Sequence, residues 1–92
     1  MGYFIARVDD NQAEIVETFR KAGFSVFDTS GIGRGFPDLI LGRNSYTWLV
    51  EIKMPEGKLN KKQIKFHQEW KGCAIAIIRS VEEAVEFSRN VP

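Results

Sequence analysis

The run Ala74-Ile75-Ala76-Ile77-Ile78 contains no polar position. An unbroken apolar strand reads as buried on both faces, and such strands belong to sheets with helices packed on each side. A chain of 92 residues can supply that arrangement once, so one domain spanning 1–92 around one core is expected. The neighbouring segments agree. Residues 12–22 carry Ile15, Val16 and Phe19 at helical spacing, with Gly23 in the position of a helix C-cap. Phe24-Ser25-Val26-Phe27 alternates as a strand, and Ser30-Gly31-Ile32-Gly33-Arg34-Gly35 is too rich in glycine to prolong it. After Pro37, Asp38-Leu39-Ile40-Leu41 reads as a short buried strand ended by Gly42, and residues 47–53, dense in β-formers, return as its hairpin partner. Residues 61–71 place Phe66 and Trp70 on one helical stripe. Ser80 with Glu83 marks the start of a last helix with Val81, Ala84, Val85 and Ser88 on its inner face. The order helix, three strands, helix, strand, helix predicts an α/β fold, a mixed central sheet flanked by helices.

Composition removes several classes of protein. No apolar run is long enough to cross a bilayer, and the residues from Met1 to Arg7 lack the basic region and long apolar core of a signal peptide, so no membrane partner and a cytoplasmic location are expected. The single cysteine, Cys73, can form neither an internal disulfide nor a thiolate zinc cluster, and is read as a core residue. A net charge of +1 does not by itself mark a nucleic-acid binder. The charges are unevenly placed, however: Asp9, Asp10, Glu14 and Glu17 gather early, while Lys53, Lys58, Lys61, Lys62, Lys65 and Lys71 form a basic stretch. That stretch is either a solvated helix face or a surface for a DNA backbone.

The chemistry concentrates where the strands pair. Glu51 and Lys53 lie two apart on a strand, so both leave the face opposite Val50 and Ile52. Asp38 opens the neighbouring hairpin strand, from which its carboxylate can approach Glu51 across the ladder. Two converging acids repel unless a proton or a cation lies between them, and oxygen ligands suit Mg2+ or Mn2+. Lys53 would then stabilise charge developing on a phosphate. The alternative is an ordinary cross-strand ion pair of Lys53 with Asp38 or Glu51 on an exposed sheet edge, a feature contributing about 0–1 kcal/mol.

Pro37-Asp38 followed by Glu51-Ile52-Lys53 resembles the Pro-Asp…(Asp/Glu)-x-Lys signature of the restriction-endonuclease-like nucleases, and the flanking segments resemble their virus-type replication-repair nuclease (VRR-NUC) family. Asn11-Gln12-x-Glu14-Ile15-Val16 is similar to that family's opening helix, Gln63 with Phe66-His67-x-x-Trp70 to the helix after its catalytic strand, and Ser80-Val81-Glu82-Glu83-Ala84 to the end of its small phage and prophage members. The resemblance implies a metal-dependent DNA endonuclease acting on branched or flapped intermediates, four-way junctions included. It also implies a restriction-endonuclease-like sheet, with Asp38, Glu51 and the carbonyl of Ile52 holding the metal and Lys53 assisting the attack of water. An acid from the first helix would complete the metal shell. That role falls on Glu14, with Gln12 a competing position, although Asn11 and Glu14 also make a plausible capping pair.

Gln63 is open to two readings: reciprocal cap of a helix begun by Asn60, or an inward amide serving the site. His67 beside aromatics reads as a packing residue, and Trp48 and Trp70 as core. The loop with Ser30 and Arg34 lacks the Lys-Ser/Thr ending of a nucleotide-binding P-loop, and fits a close approach to DNA backbone, together with Lys58, Lys61, Lys62 and Lys65. A homodimer is expected, since one chain has one candidate metal centre, with Tyr3, Phe4, Ile5 and Phe36 as candidate contacts. Two other classes remain open, a non-catalytic nucleic-acid-binding module and a dimeric interaction module that keep the fold alone.

Overall fold

The computed structural model describes residues 10–92. The elements run α1 (Gln12–Lys21), β1 (Ser25–Asp28), β2 (Leu39–Arg43), β3 (Tyr46–Ile52), α2 (Lys61–Glu69), β4 (Ala76–Ile78) and α3 (Val81–Asn90), in the anticipated order. The strands form a mixed sheet in the order β1-β2-β3-β4, antiparallel across the first two pairs and parallel between β3 and β4. Parallel neighbours need a long crossover, and α2 provides it. The β2–β3 hairpin closes through Asn44 and Ser45, both with positive φ (53° and 71°), the backbone of a tight turn matched to strand twist. Among the described residues no helix is long and apolar enough to cross a membrane.

Alternation divides the sheet into two faces. Leu39 and Leu41 of β2 pair with Val50 and Trp48 of β3, and with Ile52 and Ile78 they are buried against Ile15 and Phe19 of α1 and Ala84 of α3. Phe19 meets Phe24 and Phe87 edge-on at 5.5 and 6.0 Å, a favourable aromatic geometry that fixes α1 on α3. Arg43, at the end of β2, fastens the far ends of both helices: its guanidinium donates to the carbonyls of Ala22 at 2.9 Å, Ser88 at 2.7 Å and Val91 at 2.8 Å, and lies 4.0 Å over the Phe24 ring. These carbonyls are the ones a helix end leaves without partners.

Three expectations change. The last strand starts at Ala76, and within it only Ile78 is buried; among the described residues β4 is the edge of the sheet beyond β3. Helix α2 ends at Glu69; Trp70 turns extended as its C-cap and is 43% exposed, so it is not core, whereas Trp48 is. Cys73 lies exposed in the loop that follows rather than in the core.

Candidate active site

The sheet face away from the core carries the chemistry. Glu51 is 1% exposed, an unusual place for a carboxylate unless donors or cations surround it. Two side chains of α2 reach it: Gln63 Nε2 donates to Oε2 at 3.0 Å, and His67 Nε2 lies 3.6 Å from Oε1. Burial first, and the Lys53 ammonium second, push the His67 imidazole below its ordinary value, so it is uncharged at neutral pH. His67, read from sequence as packing, is thus in contact with the central acid.

Asp38 is held by backbone on both sides. Its N–H donates to the Val50 carbonyl at 2.9 Å, its carbonyl accepts the Thr29 N–H at 2.8 Å, and the Thr29 hydroxyl donates to the Pro37 carbonyl at 2.7 Å. The carboxylate Oδ2 accepts the Ile52 N–H at 2.8 Å. A residue in a strand sends its N–H and C=O to the same side, so the Ile52 carbonyl is also turned towards β2. Asp38 therefore meets β3 through the residue between Glu51 and Lys53.

The first helix does not show the capping pair read from Asn11 and Glu14. Asn11 makes no side-chain cap; its amide donates to the carbonyls of Lys53 at 3.3 Å and Arg79 at 3.0 Å, tying the start of α1 to the ends of β3 and β4. Glu14 is exposed. It shares a helical stripe with Thr18 and Lys21, which line the cleft between α1 and α3, so the structure does not bring it to Asp38 and Glu51. Gln12 is 4% exposed and donates to Asp28 Oδ2 at 3.2 Å, at the end of β1 beside the start of β2.

Gln63 satisfies both of its readings at once. Its Oε1 accepts the Asn60 N–H at 2.9 Å and its own N–H donates to Asn60 Oδ1 at 2.9 Å, a capping box, while Nε2 serves Glu51. The helix can approach because Gly35, with φ of +82°, lies on the backbone of Lys62: a Cβ there would overlap the Lys62 carbonyl oxygen and stand 2.6 Å from its carbon. Ser30 gives both its N–H (2.8 Å) and its hydroxyl (2.6 Å) to Asp28 Oδ1, which orders the loop. These bonds, ahead of the one from Gln12, hold the Asp28 carboxyl below its usual range. Arg34, Lys62 and Lys65 line one cleft with Phe66 and Glu69; Lys58 and Lys61 are exposed and not part of its lining. Phe36 is half-buried, packed edge-on against Phe66 at 5.3 Å, so it is not the exposed contact anticipated; Tyr3, Phe4 and Ile5 lie outside the described residues.

Among the described residues no three His, Cys, Asp or Glu side chains converge as a metal cluster. Two carboxylates with a backbone carbonyl nevertheless suit Mg2+, which commonly takes one or two protein carboxylates and fills its shell with water and substrate phosphate. A buried Glu51 set beside a backbone-anchored Asp38 fits that donor chemistry. Sequence reasoning missed Asn11 as a strand anchor, Asp28 as the partner of Gln12, and Gly35; of these only Gly35, in Gly33-Arg34-Gly35, carried a sequence signal, the need for positive φ.

No match was found among curated proteins. The model of the VRR-NUC domain matches residues 5–82, a span that holds Pro37-Asp38, Glu51-Ile52-Lys53 and Gln63. The chain belongs to the VRR-NUC family, nucleases of the PD-(D/E)XK type.

Proposed function

We propose that the chain is a metal-dependent DNA endonuclease selective for branched replication or repair intermediates, four-way junctions and flaps among them. The observation that carries this reading is the join between Asp38 and the Glu51-Ile52-Lys53 strand, with one carboxylate fixed on the Ile52 N–H and the other buried under Gln63 and His67. Asp38, Glu51 and the Ile52 carbonyl would hold Mg2+ or Mn2+, and the acid of the first helix, Glu14 by family likeness, would join them on substrate binding. Such an ion supplies Lewis acidity at the phosphoryl oxygen and at the attacking water. Water adds to phosphorus, the P–O bond to one sugar oxygen breaks, and that oxygen leaves protonated.

The remaining work belongs to side chains of the chain itself. Lys53 sets an ammonium on the side of Glu51 and offsets negative charge gathering on the phosphoryl oxygens. Gln63 keeps the Glu51 carboxylate in one orientation. Arg34, Lys62 and Lys65 neutralise phosphates of the bound strand, with Lys58 and Lys61 extending the basic surface and the Ser30 turn shaping the loop. Two such centres in a homodimer would face strands of opposite polarity, which is the geometry symmetric cleavage of a junction requires.

The test compares junction, flap and linear duplex with Mg2+, with Mn2+ and with chelator, using Asp38→Asn and Lys53→Met as controls. Cleavage should need a divalent ion, favour the branched substrates and fall by roughly a hundred-fold or more in each variant. Binding without cleavage under every condition would instead support a non-catalytic module.

A further inference from the structure

Lys62, Lys65, Phe66 and Glu69 share one face of α2, and Arg34 of the glycine-rich loop closes a cleft of about 300 Å³ over them. That volume is at the small end for a ligand pocket, suited to one compact group. Among the described residues Phe66 is the aromatic of its lining, and two further rings pack on it. Phe36 meets it edge-on at 5.3 Å, and Trp70 stacks on it at 5.5 Å with an interplanar angle of 20°. Trp70 is exposed yet not loose, because Gly72 lies against the indole so closely that a Cβ would stand 2.6 Å from Nε1. An aromatic stack left accessible beside three cations is poorly explained by packing. It matches the way proteins hold single-stranded nucleic acid, with cations on the backbone and rings under the bases.

Glu69 refines the match. A carboxylate in a phosphate groove repels, but it accepts a hydrogen bond from the exocyclic amine of a base edge. The cleft thus carries a group for each part of a nucleotide. It also adjoins the catalytic centre, since Arg34 precedes Pro37-Asp38 in the same loop and Lys62 precedes Gln63.

We propose that this cleft receives one unpaired nucleotide of the DNA strand next to the scissile phosphate, its phosphate on Arg34, Lys62 and Lys65 and its base on the Phe66–Trp70 stack. The inference rests on the nuclease reading and deepens it. A base inside continuous duplex has its faces covered and its edge paired, so it must be extruded at a cost, whereas a base at a flap or branch is already free. Preference for branched DNA would follow from this cleft.

The test uses the 92-residue chain carrying Glu51→Gln, introduced to prevent turnover, and a flapped duplex with 2-aminopurine as the first unpaired base. Stacking on an aromatic ring quenches that base. Saturating protein should quench the fluorescence, while Trp70→Leu and Phe66→Leu in the same background should each remove the quench and weaken flap binding by about ten-fold. Circular dichroism checks that both variants fold, and Trp70→Leu, at an exposed position, carries the result should Phe66→Leu not. An unchanged quench in Trp70→Leu, or equal weakening on fully paired duplex, would overturn the proposal. If the wild-type chain cuts no DNA while the quench stands, the nuclease reading falls and the nucleotide cleft survives. If cleavage stands and the quench is absent, the cleft falls alone.

Discussion

The amide nitrogen of Gln63 lies 3.0 Å from Oε2 of Glu51, while the oxygen of the same amide accepts the N–H of Asn60. One side chain therefore couples the start of α2 to the central acid of the sheet. Gln63→Glu keeps the acceptor for Asn60 but sets a second carboxylate against a buried one, and like charges there repel unless a cation joins them. Its Tm should fall in chelator and recover with Mn2+, since an ion that binds only the folded chain stabilises it. Gln63→Ala should lose about 1 kcal/mol with its cap and show no such recovery. Cleavage should drop about 10–100-fold in both, the usual effect of losing a group that orients a metal ligand. Thermal melts with and without Mn2+ separate the two variants.

Gln12 and Glu14 make opposite forecasts. Gln12 is buried and bonded to Asp28, whereas Glu14 is exposed. Glu14→Gln should leave stability within about 0.5 kcal/mol of wild type. Gln12→Ala should cost about 1 kcal/mol with the lost bond to Asp28. With DNA bound, Glu14→Gln should lose about ten-fold in Mn2+ affinity, read by calorimetry, and an unchanged affinity would remove this acid from the proposed metal shell.

Gly35 governs how near α2 sits. Gly35→Ala places a methyl group on the Lys62 carbonyl at a residue that already needs positive φ, so the loop or the helix must move. The expected loss is about 1–3 kcal/mol of stability. Because Gln63 follows Lys62, cleavage should fall further than the stability change alone explains, and activity assayed well below Tm checks this.

The fold was legible because the apolar periods of α1, β2, β3 and α3 were strong and uninterrupted, and because Ser80 and Asn60 announced two helix starts. Strand alternation made it legible that Glu51 and Lys53 share a face, and the hairpin pairing that Asp38 lies next to that strand, where its carboxylate accepts the Ile52 N–H. Trp70 and Cys73 were not, because hydrophobic character predicts burial only when a layer exists to cover it, and α2 has no fully buried residue. Asn11 misled for another reason. Its amide satisfies carbonyls of Lys53 and Arg79, residues far away in sequence, and no local pattern encodes a partner that only the closed sheet brings near.

Acid should weaken the loop before the sheet. The Asp28 carboxyl is held below its ordinary value of 3.8, chiefly by Ser30 and also by Gln12. A depressed carboxyl pKa contributes stability that is present above 3.8 and lost as pH falls through the lowered value. The Tm difference between wild type and Asp28→Asn should therefore be constant from neutral pH down to about pH 5 and shrink below 3.8, as followed by melts across that range.

Arg43 gives the opposite end of the domain a different temperament. Its guanidinium clasps backbone carbonyls at the ends of α1 and α3, and these oxygens do not take up protons on acidification. The first turn of α1, by contrast, is moored through Gln12 to a carboxylate that does. Acidification thus weakens the Gln12–Asp28 mooring, while the Asn11 bonds to the Lys53 and Arg79 carbonyls and the Arg43 clasp at the other end persist. Amide protection along α1 would register that polarity as a gradient, steepest near Gln12 and flat near Lys21.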